Sequence, residues 1–102
     1  MNFKLPITPK ENDSPVIPVS RWMKHEGVLT KAYQFRRSED KQKFVVELMA
    51  YERQVKHNAK ITIDENEVMI QLTTKDVNSV TELDKEYAKF SDVLFRDLAY
   101  NA

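Results

Sequence analysis

The stretch KITIDENEVMIQLTT, residues 60–74, decides the fold. It holds two runs, Lys60–Asp64 and Glu67–Thr74, in which apolar and polar residues alternate, and polar Glu65-Asn66 separates them. Alternation with a period of two is typical of a half-buried β-strand, and a short polar break between two such runs is typical of a hairpin. The segment therefore predicts a β-hairpin with one apolar face.

An amphipathic helix is predicted on each side of this hairpin. Upstream, Ser38 offers an N-cap, and the helix should end near Lys56–Asn58. Downstream, Ser79 is one candidate cap, in Ser79-Val80-Thr81-Glu82, and Thr81-x-x-Asp84 is a second. Apolar residues recur at helical spacing in both segments: Phe44, Leu48, Tyr51 and Val55, widened by Val45 and Met49, and then Leu83, Tyr87, Phe90, Leu94 and Leu98.

Two further strands are predicted before the first helix. Val16–Met23 is rich in β-branched residues and Val28–Arg36 alternates, with the only glycine, Gly27, in the turn between them. Pro18 places the first of these strands at a sheet edge. The element order is then ββαββα, which predicts an α+β fold in two layers, a four-stranded antiparallel sheet with two helices packed on one face.

Length and composition fit one soluble domain. The 102 residues are 41% hydrophobic and 31% charged, which is enough for a small core. Residues 1–14, with two prolines and a polar end, are predicted to form a flexible N-terminal arm, and residues 15–102 a single domain. Because no apolar run reaches signal-peptide or membrane-spanning length, we expect a cytoplasmic protein without membrane contact.

Charge and cysteine content argue against several function classes. Sixteen Lys and Arg balance sixteen Asp and Glu, so no net positive field attracts nucleic acid. The absence of cysteine excludes a thiolate zinc site, a thiol nucleophile and a redox motif. Phosphate loops, Ser-His-Asp spacing and His-x-x-x-His pairs are absent as well. The residues themselves therefore contain no motif for a metal, a phosphate-bearing cofactor or a catalytic nucleophile.

Candidate functional residues gather where elements end. One group, Arg53 to Lys60, lies at the end of the first helix and includes His57, and Lys75-Asp76 lies at the end of the last strand. A cationic last turn is also explained by the helix dipole, and Asp84 by helix capping. An imidazole is the side chain best suited to proton transfer near neutral pH, so His57 is the candidate acid or base.

Three segments resemble the pterin-4a-carbinolamine dehydratase family: His57-Asn58, Leu72-Thr73-Thr74-x-Asp76 and Thr81-Glu82-x-Asp84. The likeness runs from about Trp22 to Ala99 and needs no gap between His57 and Asp84. The family has the same ββαββα order, so the resemblance implies the same fold. It also implies dehydration of 4a-hydroxytetrahydropterin to the quinonoid dihydropterin, without a metal or bound cofactor.

The resemblance implies a role for individual residues. His57 matches the first His of the family motif and would be the principal acid and base. Asn58 stands at the second His and would hydrogen-bond the pterin ring, while Lys75 stands at the third and would stabilise the departing hydroxide or hold a polar substituent. The predicted catalytic residues are His57, Lys75 and Asp84, and the predicted substrate-binding residues are Asn58, Arg53 and Asp76.

Four positions depart from the family motif. Arg53 replaces the usual acid, Ala59 the proline, Glu65 the aromatic residue and Lys75 the third His. An ordinary lysine ammonium, with a pKa of about 10.4, is a poor proton shuttle at neutral pH. Two alternatives to the enzyme therefore stay open. One is a non-enzymatic dimerisation or assembly factor for a protein partner, as some relatives are, and the other is an anion-binding module built from Arg53, Lys56, Lys60 and Lys75.

Self-association is expected as well. A four-stranded sheet with helices on one face leaves an edge and a large face uncovered, and members of the family are dimers or tetramers. We predict a homodimer or homotetramer.

Overall fold

The computed structural model describes residues 21–101, with side chains up to Ala99. The predicted arm, and residues 16–20 of the first predicted strand with Pro18, lie outside the described residues. The four strands form one antiparallel sheet in the order β1-β2-β4-β3, so the predicted α+β class and element order are confirmed. The elements are β1 (Met23–His25), β2 (Val28–Gln34), α1 (Ser38–Val55), β3 (Lys60–Ile63), β4 (Glu67–Leu72) and α2 (Glu82–Asn101).

β4 carries the centre of the core because its residues alternate between buried and half-buried. Val68, Ile70 and Leu72 are fully buried. They pair with Tyr33, Lys31 and Leu29 of β2, so these residues share the face that the two helices cover. The helices contribute the rest of the buried cluster: Phe44 and Leu48 from α1, and Tyr87 and Ala88 from α2.

α1 begins without the predicted cap. Ser38 is the first helical residue and Arg37 is the N-cap, in an extended conformation with no side-chain cap hydrogen bond. The Arg37 guanidinium instead pairs with Asp40 of the first turn, at 3.1 and 3.2 Å. The prediction of Ser38 as the cap is therefore wrong by one residue, and an ion pair to the first turn occupies the place of a hydroxyl cap.

α2 begins with the second of the two predicted caps. The Asp84 carboxylate accepts the Thr81 N–H at 2.9 Å, which is the backward half of a capping box. The Thr81 carbonyl accepts the Lys85 N–H at 3.1 Å and so starts the helical ladder. The Thr81 hydroxyl lies 2.7 Å from the Thr74 hydroxyl, which links the helix start to the segment after β4.

Three residues of the predicted apolar stripes lie at the surface. Met49 is 54% exposed, Val55 37% and Leu83 51%. Neighbours along a helix point about 100° apart, so Met49 is turned away from the line of buried Leu48. Leu83 is displaced in the same way, because Asp84 takes the inward position at the start of α2.

The turn of the first hairpin lies later in the chain than predicted, and it contacts a neighbouring loop. β1 starts at Met23 instead of ending there, and His25 lies in the strand, so the turn is Glu26-Gly27 with φ of 50° and 78°. The Gly27 carbonyl accepts the Thr73 hydroxyl at 2.7 Å. A Cβ on Gly27 would lie 2.6 Å from the Asn78 carbonyl oxygen, so only glycine fits against the 75–78 loop.

A polar cluster around Asp92 ties the sheet to the middle of α2. The Asp92 carboxylate accepts the Trp22 indole N–H at 3.1 Å, the Lys31 ammonium at 2.7 Å and the Tyr33 hydroxyl at 2.5 Å. The Tyr33 hydroxyl also lies 2.9 Å from the Ser91 hydroxyl. These contacts satisfy polar groups at the border of the core. Within the described part of the chain, neither helix has the length and apolar character to cross a membrane.

Candidate active site

His57 and Asp84 meet at one end of the sheet. His57 follows α1 and Asp84 lies in the first turn of α2, yet Nε2 of His57 is 2.6 Å from Oδ1 of Asp84. Asp84 is fully buried, while the His57 side chain keeps 11% of its surface exposed. The pair, called the dyad below, therefore joins a sealed carboxylate to an imidazole with access to solvent.

Asp84 is held as a carboxylate by three donors. Besides His57, the Thr74 hydroxyl donates to Oδ2 at 2.8 Å and the Thr81 N–H donates to Oδ2 at 2.9 Å. Burial, the largest single influence, raises the pKa of the Asp84 carboxyl, but the hydrogen bonds from His57, Thr81 and Thr74 together outweigh burial and lower the pKa below its usual range. Asp84 is therefore ionised at neutral pH.

The ionised carboxylate fixes the proton on the imidazole. A carboxylate can only accept a hydrogen bond, so Nε2 of His57 donates to Asp84 and Nδ1 is the acceptor nitrogen of the neutral ring. Among the described residues, Nδ1 has no hydrogen-bond partner. A proton taken up at Nδ1 would form an imidazolium next to the Asp84 charge, which is the arrangement of a histidine base oriented by a carboxylate.

A second carboxylate, Glu52, binds the segment that follows His57 and was not predicted. Its Oε2 accepts the Tyr87 hydroxyl at 2.5 Å and the Ala59 N–H at 3.1 Å. Burial, and then the hydrogen bond to Glu52, raise the pKa of the Tyr87 hydroxyl, which therefore remains a donor. The motif placed its acid at position 53, one residue later, and so drew attention to exposed Arg53 instead of Glu52.

The other predicted site residues lie near this end of the sheet with exposed side chains. Arg53 and Asn58 precede and follow His57 in the chain, and Lys75 and Asp76 follow Thr74. In residues 21–99 none of these four side chains makes a hydrogen bond or ion pair with the dyad. The structure thus brings His57 and Asp84 together and leaves the other four facing solvent. That part of the chain also holds no group of three His, Asp or Glu side chains placed to bind a metal ion.

Comparison with known proteins identifies the family. Residues 6–94 match the family model described as Pterin 4 alpha carbinolamine dehydratase. The chain belongs to this family. The match covers most of the sequence, and it confirms the resemblance seen in the motif around His57 and Asp84.

One relative and two solved structures are also similar to this chain. A protein of Sulfurisphaera tokodaii, named "Putative pterin-4-alpha-carbinolamine dehydratase", is 28% identical over 88 residues, which cover 86% of this chain and 95% of that protein. The structure of a transcriptional coactivator/pterin dehydratase from Brucella melitensis superposes with a TM-score of 0.68 at 21% identity, covering 74% of this chain and 80% of the other. A pterin dehydratase-like protein described as a RuBisCO assembly factor of the alpha-carboxysome gives 0.63 at 19% identity, covering 74% and 88%. At these identities the two structures show a shared fold.

Proposed function

We propose that this member of the pterin dehydratase family dehydrates 4a-hydroxytetrahydropterin to the quinonoid dihydropterin, with His57 as both base and acid. The observation that carries the proposal is the 2.6 Å hydrogen bond between His57 and fully buried Asp84. Family membership, and the name of the Sulfurisphaera tokodaii relative, support the substrate class.

One imidazole is enough for the proton transfers of this reaction. Neutral His57 takes the proton of a ring N–H at Nδ1, the N–H electron pair forms the C=N bond, and the C4a–O bond breaks with its electrons on oxygen. The imidazolium then gives the same proton to the departing oxygen, which leaves as water. Asp84 stabilises the imidazolium between the two transfers. The His57 imidazole is neutral again after the second transfer. The catalytic cycle therefore does not need the third His of the motif.

The exposed residues around the dyad are proposed to bind the substrate. Lys75 follows Thr74, whose hydroxyl donates to Asp84, and its ammonium is proposed to stabilise the departing oxygen. Asn58, next to His57, is proposed to hydrogen-bond the pterin ring. Arg53 and Asp76 are proposed to contact polar substituents of the substrate.

The test is dehydration of 4a-hydroxytetrahydropterin by the purified protein, corrected for the uncatalysed reaction. His57→Ala should reduce turnover to the uncatalysed rate. The matched control is His25→Ala, which removes the other imidazole from an exposed position in β1 and should keep the parent turnover. Parent turnover in His57→Ala would overturn the assignment of His57. Absence of turnover in the folded parent would overturn the proposal that the protein is an enzyme and would favour the assembly-factor alternative.

We also propose that the chain forms a homodimer or homotetramer. In the described residues no helix covers the second face of the sheet, which carries half-buried Thr30, Met69 and Gln71. The outer side of α1 exposes Val46 and Met49, at 63% and 54%. Sedimentation at micromolar concentration should show an oligomer, and a monomer would contradict this proposal.

A further inference from the structure

Glu52 holds both sides of the short segment that carries His57. Its main-chain oxygen accepts the Lys56 N–H at 2.8 Å, and its Oε2 accepts the Ala59 N–H at 3.1 Å. Lys56 has a left-handed conformation with φ of 57°, which a residue with a side chain adopts only when its surroundings hold it there. His57 and Asn58 therefore lie between two hydrogen bonds to a single residue of α1.

The same carboxylate also fixes this segment to α2. The Tyr87 hydroxyl donates to Oε2 of Glu52 at 2.5 Å, and Tyr87 is fully buried. Tyr87 follows Asp84 by three residues, so the two side chains lie on the same face of α2, one turn apart. α2 therefore contacts the chain around His57 twice, through Asp84 to the imidazole and through Tyr87 to Glu52.

We propose that Glu52 is a positioning residue that, together with Tyr87, sets the orientation of His57 relative to Asp84. Without the carboxylate, the Ala59 N–H and the buried Tyr87 hydroxyl both lose their acceptor. The segment 57–59 is then held only by the main-chain bond of Lys56 and by the dyad itself, so the imidazole can shift relative to Asp84. The imidazole must stay within hydrogen-bond distance of Asp84 to keep its proton on Nε2. A displacement of about 1 Å at a reacting group lowers the rate of an enzyme by up to about a hundredfold.

The effect on catalysis rests on the proposed function, whereas the effect on the imidazole does not. The experiment therefore reads both. It compares Glu52→Ala, Glu52→Gln and Tyr87→Phe with the parent, by kcat and KM for 4a-hydroxytetrahydropterin and by the ¹⁵N chemical shifts of the His57 ring at neutral pH. The matched control is Glu47→Ala, which removes an exposed carboxylate from the same helix.

Glu52→Ala should lower kcat by about tenfold or more and change KM by less than about threefold. It should also move the His57 ¹⁵N shifts toward those of an imidazole whose proton exchanges between Nδ1 and Nε2. Glu52→Gln should retain most of kcat, because an amide oxygen can accept both hydrogen bonds. Tyr87→Phe keeps the bond to Ala59 and should fall between the two. Glu47→Ala should match the parent in both readouts.

Two results would overturn the proposal. One is Glu52→Ala with the kcat per folded molecule and the His57 shifts of the parent, which would leave Glu52 only a structural role. The other is a Glu52→Gln protein as impaired as Glu52→Ala. That result would mean that the negative charge of Glu52, and not its hydrogen bonds to Ala59 and Tyr87, determines kcat and the His57 shifts. Should Glu52→Ala fail to fold, parent values in Tyr87→Phe would overturn the proposal equally well. An inactive parent would disprove the proposed function alone, because the His57 shifts would still decide the role of Glu52.

Discussion

Replacing Asp84 by Asn keeps the shape of the side chain but reverses one hydrogen bond. The amide oxygen can take the place of Oδ2 and still accept from Thr74 and Thr81. The amide NH₂ then faces Nε2 of His57, and because NH₂ only donates, Nε2 must become the acceptor. The imidazole proton moves to Nδ1, the nitrogen that has to take the substrate proton. We therefore expect the Asp84→Asn protein to keep its fold but to hold His57 in the wrong tautomer.

The size of the effect follows from the three contacts. A hydrogen bond to a charged group contributes roughly 1.5–3 kcal/mol and a neutral one roughly 0.5–1.5 kcal/mol, so three weakened bonds cost about 3 kcal/mol. Relief from burying a charge offsets part of this, which leaves a loss of about 2 kcal/mol at pH 7. In a domain of this size such a loss lowers Tm by about 10 °C. Turnover should fall by up to about 10⁴-fold, which is the loss that a wrong tautomer causes in a comparable carboxylate–histidine pair.

Thermal unfolding at pH 7, turnover at a temperature where both proteins are folded, and the ¹⁵N shifts of the His57 ring measure these three effects. The control is Asp97→Asn, which makes the same chemical change at an exposed position of α2 and should alter none of them. The reasoning would be refuted by an Asp84→Asn protein that keeps the parent turnover, or by one whose His57 still carries its proton on Nε2.

Three further predictions concern the pH dependence of stability, the turn of the first hairpin and the Asp92 cluster. Because the folded-state pKa of Asp84 is lowered, its stabilisation is full above the unfolded pKa of about 3.9 and is lost as the pH falls through the folded value. The difference in free energy of unfolding between the parent and Asp84→Asn should therefore shrink below about pH 4, and a difference that stays constant to pH 2 would contradict this. Gly27→Ala should lower the free energy of unfolding in urea by about 1–3 kcal/mol, because its φ is 78° and the new Cβ would meet the Asn78 carbonyl, and an unchanged urea midpoint would count against that contact. Asp92→Ala should cost about 2 kcal/mol and shift the fluorescence of Trp22, the only tryptophan, to longer wavelength as its N–H loses its acceptor, whereas unshifted emission would show that the cluster does not hold the indole.

The element order and the core face could be predicted because burial in strands and helices is periodic in sequence. Alternation alone predicted that Val68, Ile70 and Leu72 lie on one apolar face. Motif spacing alone drew attention to His57 and Asp84. For Asp84, the sequence offers two explanations, helix capping and a catalytic role implied by the motif. The structure shows the capping contact from Thr81 on one oxygen and a hydrogen bond from His57 on the other.

Glu52 could not be found in this way. A glutamate on a charged helix is typical of a solvated surface, and its partner Tyr87 lies 35 residues further along the chain, so no local pattern joins them. Motif spacing also fixes where Lys75 stands in the chain but not which way its side chain points. Loop direction depends on contacts such as that of Gly27 with Asn78, which come from tertiary packing.

The double duty of Asp84 bears on how the family can evolve. An acid that anchors the start of a helix is retained by selection for folding, even in a descendant that has lost its chemistry. Selection for folding would thus preserve the carboxylate in enzymes and in non-enzymatic scaffolds alike. The presence of this acid in a sequence therefore says little about whether the protein is an enzyme. The imidazole donates a single hydrogen bond that other side chains could replace, so it is free to drift once turnover no longer matters. Sorting relatives by whether they keep the imidazole, with the acid disregarded, is therefore the more informative division.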